Sequence, residues 1–108
     1  MTATITSNEL KQLIDSGNAP ILIDVRNENE LQYGRITKKS ILIPLPEIKK
    51  RFKEIEKFKD LEIVVYCRTG GRSKIATDFL TEQGFKNVKN LIAGILAWRE
   101  FDSSVIPY

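Results

Sequence analysis

An α/β fold is predicted for this chain by three observations. Two near-continuous apolar runs, Ile21-Leu22-Ile23-Asp24-Val25 and Leu61-Glu62-Ile63-Val64-Val65, suit strands of a parallel sheet covered on both faces. Segments whose apolar residues keep helical spacing stand before, between and after these runs. Glycines and prolines (Gly17, Pro20, Gly34, Pro44, Gly84) punctuate the transitions. Strands alternating with helices define the α/β class. With 108 residues and no repeat, linker or low-complexity tract, the chain is read as one domain over residues 1–108.

Each element has its own signal. Thr6 with Glu9 forms a capping-box signature for a helix near the start of the chain. That helix buries Leu10, Leu13 and Ile14 and stops near Gly17. Ile21 to Val25 follows as a central strand, with Asp24 and Arg26 at its carboxyl end, where open α/β sheets place their sites. Asp24 is either a catalytic acid or base or a structural bond-maker to backbone N–H groups or an arginine. Asn27 and Glu30 repeat the capping signal for a short helix through Tyr33, ended by Gly34. Ser40 to Ile43 is the third strand, and Pro44 and Pro46 introduce a basic helix from Glu47 to Phe58. Its apolar stripe is Ile48, Phe52, Ile55 and Phe58, so the interleaved lysines form a solvated face and no nucleic-acid partner is expected.

Leu61 to Tyr66 is the next strand. Ser73 is expected to cap the helix that follows, with Ile75, Ala76, Phe79 and Leu80 buried. Gly84 and Phe85 suit a Schellman ending. Asn87 to Leu91 forms the last strand, and Gly94 opens a helix that carries Ile95, Trp98 and Phe101 into the core.

Composition excludes several chemistries. The chain has no histidine and one cysteine, so a Cys-His dyad, a His-bearing triad and a zinc site built on these ligands are ruled out. No metal and no cofactor is expected. A lone cysteine fits a reducing compartment. The start Met-Thr-Ala-Thr-Ile-Thr has no basic region followed by an apolar core, and no apolar run approaches a membrane span. No membrane association and a cytoplasmic location are therefore expected. The net charge of +3 is mild, yet a basic surface attracts small anions or an acidic partner.

The cysteine stands in the most informative stretch, Tyr66-Cys67-Arg68-Thr69-Gly70-Gly71-Arg72-Ser73, between a strand and a helix. Both glycines are expected to take positive φ and turn N–H groups inward. A concave nest of N–H groups at a helix N-terminus suits an anion, and Arg68 and Arg72 add full positive charge. Such surroundings lower a thiol's pKa and make the sulfur nucleophilic. The alternative is a small buried hydrophobe, which the surrounding glycines and arginines disfavour.

Cys67-Arg68-Thr69-Gly70-Gly71-Arg72-Ser73 resembles the active-site loop of rhodanese-type sulfurtransferases, Cys-x-x-Gly-x-Arg-Ser. Ile23-Asp24-Val25-Arg26 is similar to the family's Asp-Val-Arg strand end. Glu30 to Ile36, with Ile43-Pro44 downstream, resembles its Glu-Phe-x-x-Gly-His-Ile…Ile-Pro segment. Gly84-Phe85, Val88, Leu91, Ala93-Gly94 and Trp98 resemble its closing pattern. The resemblance covers nearly the whole chain. It implies a three-layer α/β/α rhodanese-like domain with a mostly parallel five-stranded sheet ordered 3-2-4-5-1, reads Ala3-Thr4-Ile5 as the short first strand, and favours the structural role for Asp24. Two departures, Arg35 for the frequent His and Lys38-Lys39-Ser40 for a Gly-Ala stretch, read as surface variations.

The resemblance also implies the chemistry. Cys67 would be the catalytic nucleophile, with Arg68, Thr69, Gly70, Gly71, Arg72 and Ser73 binding the substrate. Arg68 is read as the exposed donor-binding charge; Thr69 either bonds the anion or shapes the turn. Arg72 either binds donor oxygens or braces the loop through a carboxylate, and bracing is favoured. Four residues separate Cys67 from Arg72, one fewer than in the related phosphatases, and the smaller loop is associated with sulfur instead of phosphoryl transfer. The expected reaction moves a sulfane sulfur from an anionic donor such as thiosulfate, through a Cys67 persulfide, to cyanide, a thiol or a protein. The alternatives are a sulfur carrier or interaction module with little small-molecule turnover and, more remotely, a phosphatase or arsenate reductase of related fold.

Overall fold

The computed structural model describes Met1 to Tyr108. Five strands and four α-helices alternate: β1 (Thr4–Ile5), α1 (Ser7–Asp15), β2 (Ile21–Asp24), β3 (Ile41–Leu42), α2 (Ile48–Arg51), β4 (Glu62–Tyr66), α3 (Gly71–Glu82), β5 (Asn87–Leu91) and α4 (Gly94–Trp98). The sheet order is β1-β5-β4-β2-β3, the expected order read from the opposite edge, and every pairing is parallel. Being wholly parallel, the sheet must be covered on both faces. One buried cluster joins Ile23, Val25, Ile63, Val65 and Cys67 to Ile48, Ile55, Ala76 and Leu80, which places α2 and α3 on that face. The other joins Leu22, Val64, Tyr66 and Leu91 to Leu10, Ile95 and Trp98, which places α1 and α4 opposite. The result is a three-layer α/β/α domain.

Strand periodicity decides which residues meet the site. Successive side chains alternate between faces, so Ile63, Val65 and Cys67 point toward α3 while Val64 and Tyr66 point away. Ile63, Val64 and Val65 are fully buried, each worth about 1.5–3 kcal/mol relative to exposure. The cysteine therefore leaves a firmly held central strand. Asp24 pairs in register with Tyr66, not with Cys67, and so belongs to the opposite face.

Several local readings hold. Glu9 and Thr6 form the capping box, with Thr6 Oγ1 accepting the Glu9 N–H at 3.1 Å and Glu9 Oε1 accepting the Thr6 N–H at 2.9 Å. Helix α3 ends in a Schellman motif: Gly84 has φ +90°, and Phe85 N–H donates to the Leu80 carbonyl at 3.1 Å.

Other readings are corrected. The basic segment is not one helix, because 3-10 turns at Leu45–Glu47 and Phe52–Phe58 flank a single α turn. Phe52, Ile55 and Phe58 recur every third residue, and a 3-10 turn stacks that spacing on one face. The Glu28–Tyr33 segment is likewise 3-10, although the expected Asn27/Glu30 capping pair is in place, with Glu30 Oε1 accepting the Asn27 N–H at 3.0 Å. Ser73 does not cap α3; Gly70 does, and the helix begins three residues earlier than a Ser73 cap would place it. That start buries Ser73, Ala76, Thr77 and Leu80 and leaves Ile75 60% exposed, so Ile75 is not core. Thr77 tolerates burial because its hydroxyl donates to the Ser73 carbonyl at 2.7 Å. Arg35 is no mere surface variation, since it is half-buried and donates to the Ser40 carbonyl.

Candidate active site

The loop after β4 closes around the sulfur of Cys67. Gly70 adopts φ +108°, which only glycine takes without strain, and so turns its N–H onto Sγ at 3.1 Å. Gly71 does not share this conformation, contrary to expectation. It is the first residue of α3, exposed, and a Cβ there would meet nothing within 4 Å. Neither backbone conformation nor a close neighbour requires glycine at position 71.

Helix α4 supports the loop from below. The N–H groups of Ile95 and Leu96 donate to the carbonyls of Cys67 (2.9 Å) and Arg68 (3.2 Å). This approach needs glycine at 94, where a Cβ would lie 2.3 Å from the Arg68 carbonyl oxygen. The loop carbonyls are thus turned down into α4, which frees the loop N–H groups to face the sulfur.

Cys67 is only 1% exposed. Burial pushes its pKa up, but the Ser73 hydroxyl and the backbone N–H groups of Ser73, Gly70 and Thr69 outweigh burial and leave it below the ordinary thiol value. Ser73 Oγ lies 3.4 Å from Sγ and 2.5 Å from Asn90 Oδ1. Its single hydrogen serves one of them at a time. The backbone N–H groups therefore carry the lowering most securely. Asn90, on β5, also donates to the Gly70 carbonyl at 3.2 Å and ties both ends of the nest together. Sequence reasoning missed Asn90, whose one signal is a polar residue inside the buried half of a strand.

The arginines divide into separate tasks. Arg72 turns to Glu30 through two bonds of 2.6 and 2.9 Å, a bidentate brace. Arg72 first, then Tyr108 and the Asn27 N–H, hold the Glu30 carboxyl down to about 2 against the effect of burial. Arg68 is half-buried, with its guanidinium carbon 5.0 Å from the centroid of the Tyr108 ring. Thr69 is exposed at the loop tip. Asp24 is locked to Arg26 by contacts of 2.8 to 3.2 Å, both side chains fully buried. On the far face and neutralised there, Asp24 is no general acid for Cys67.

What converges on the Cys67 sulfur is a set of backbone N–H donors and the Ser73 hydroxyl, with no titratable acid or base in hydrogen-bond contact. This suits a reaction whose nucleophile is already ionised and whose leaving group needs no proton.

The chain is similar to known proteins in sequence and in fold. The rhodanese-like domain matches residues 6–101. A sulfurtransferase of Allochromatium vinosum is 37% identical over 98 residues, covering 91% of this chain and 89% of its own. The maize adenylyltransferase and sulfurtransferase MOCS3-2 is 36% identical over 90% of this chain, which spans only 21% of that longer protein. The crystal structure of a rhodanese-related protein from Thermoplasma volcanium superposes with a TM-score of 0.81 at 33% identity, covering 93% of each chain. With the loop, the sheet order and the matched span in agreement, the chain belongs to the rhodanese-like domain family.

Proposed function

We propose that this protein is a sulfurtransferase that carries a sulfane sulfur on Cys67, with thiosulfate as a donor. The observation that carries the reading is the nest of N–H groups around Sγ, which favours a thiolate despite its burial. The near-complete cover over Cys67 favours a small donor that presents a single terminal sulfur.

The Cys67 thiolate attacks the outer sulfur of thiosulfate and forms a new S–S bond. The donor's own S–S bond breaks, and its electron pair leaves with sulfite. Charge is conserved, and no proton moves, which suits a site without histidine. The persulfide's terminal sulfur, now the anion, is held by the loop N–H groups from Thr69 to Ser73. An acceptor (cyanide in a test tube, a thiol or protein sulfur acceptor in the cell) then takes that sulfur and restores the thiolate. Arg68 serves as the donor-binding charge; Arg72 braces the loop through Glu30. The single cysteine supports a reducing compartment such as the cytoplasm as the setting of this chemistry.

Intact mass spectrometry after incubation with thiosulfate tests the reading, with Cys67→Ser as control. The expected result is a gain of one sulfur atom at Cys67, discharged by cyanide with release of thiocyanate. No gain on a free, reduced thiol would overturn thiosulfate as donor. Loading without turnover toward cyanide would identify a sulfur carrier instead.

A further inference from the structure

The chain has six arginines, and five of them bond to protein oxygens through their guanidinium groups. Arg68 is the exception. It makes no ion pair, and its buried Nε has no partner. Its contact is the face of Tyr108, 5.0 Å from the ring centroid. We propose that Tyr108 is a positioning residue: its ring holds the Arg68 guanidinium at the loop mouth with its N–H donors free for the oxygens of the donor. The inference rests on the donor-binding role of Arg68 proposed above.

Tyr108 is itself held on three sides. Its ring stacks on Tyr33 at 4.3 Å, with the two planes nearly parallel. Its hydroxyl donates to Glu30 Oε2 at 2.7 Å and accepts from Arg26 Nη1 at 3.2 Å. The segment before it is pinned by Ile106 N–H to the Tyr33 carbonyl at 2.8 Å and by buried Val105. A free arginine side chain carries much rotamer entropy, which binding must remove. An aromatic face orders the cation without consuming its hydrogen-bond donors. A carboxylate would order it too, but would neutralise the charge that the donor must meet. The hydroxyl meanwhile touches Glu30, the brace of Arg72, so one tyrosine supports both loop arginines by different atoms. Tyr108 lies outside residues 6–101, the span that the family model matches.

The test measures kcat and KM for thiosulfate, read as thiocyanate, in the wild type, Tyr108→Phe, Tyr108→Leu, Arg68→Ala and the Tyr108→Leu/Arg68→Ala double variant. Tyr108→Phe keeps the ring and should keep KM near wild type. Tyr108→Leu should raise KM about three- to tenfold with little change in kcat. On the Arg68→Ala background the same substitution should add almost nothing. Equal KM effects of Phe and Leu, or an undiminished Leu effect without Arg68, would overturn the proposal. An unchanged KM in Arg68→Ala would overturn the donor-binding reading beneath it. A raised KM there with none in Tyr108→Leu would sink the role of Tyr108 alone. The wild-type protein gives a check that needs neither turnover nor a variant. The Arg68 Nε–H resonance should be ring-shifted and show contacts to the Tyr108 ring, and absence of both would also overturn the proposal.

Discussion

Two arginine–carboxylate pairs flank the site, and they differ mainly in burial. Asp24–Arg26 is wholly excluded from solvent, and Arg26 spends further donors on the Gly34 carbonyl and the Tyr108 hydroxyl. Glu30–Arg72 is a bidentate pair of similar length, but its arginine side chain is 35% exposed and its carboxylate 13%. The buried pair is costly to break, because either partner left alone is a charge without water. The outer pair loses far less if opened, since solvent can take over. The same chemistry therefore pins the end of β2 in one place and steers a loop residue in the other.

The largest expected effect sharpens that contrast. Arg26→Met leaves the Asp24 carboxylate buried and unpaired, and should cost about 3–5 kcal/mol in denaturant unfolding. A loss below about 1 kcal/mol would mean that the pair is no more structural than its neighbour. Next comes Gly94→Ala, which strikes the loop's support without touching either pair. A Cβ 2.3 Å from the Arg68 carbonyl must displace it, at an expected cost of about 1–3 kcal/mol. Persulfide formation at Cys67 should slow as well; an unaltered rate would show that the loop's geometry does not depend on α4.

Glu30→Gln should have the smallest effect, about 1 kcal/mol. Because the folded Glu30 carboxyl sits near 2, against an ordinary 4.5, its contribution is present above about 4.5 and lost as pH falls toward 2. The variant should flatten that part of the stability–pH profile, and an unchanged slope would assign the acid sensitivity elsewhere. Its kinetics also discriminate between roles for Arg72. Bracing predicts slower loading with no gain in affinity, whereas a lower KM for thiosulfate would reassign the released Arg72 to donor binding.

The elements and the candidate nucleophile were legible because their signals are local. The apolar runs of β2 and β4, the Thr6/Glu9 capping box and the Gly84–Phe85 ending each lie within a few residues. The Cys67 loop is a contiguous stretch at a strand-to-helix turn. Local signals also misled, in an informative way. Ser73 has the chemistry of a cap, yet the left-handed turn at Gly70 starts α3 earlier and moves Ser73 beneath the sulfur.

The sequence by itself determined the α/β alternation, the position of the one thiol and the exclusion of histidine chemistry, since these need only residue identity and spacing. The tertiary structure decided which distant groups meet the loop: Asn90 from β5, Gly94 from α4, and Glu30 and Tyr108 from segments 42 and 36 residues from Arg72. It also decided that Asp24 faces away from Cys67, through the register of β2 on β4. Such choices depend on strand order and on one residue of register, which act across the whole sheet and leave no mark in any short window of sequence.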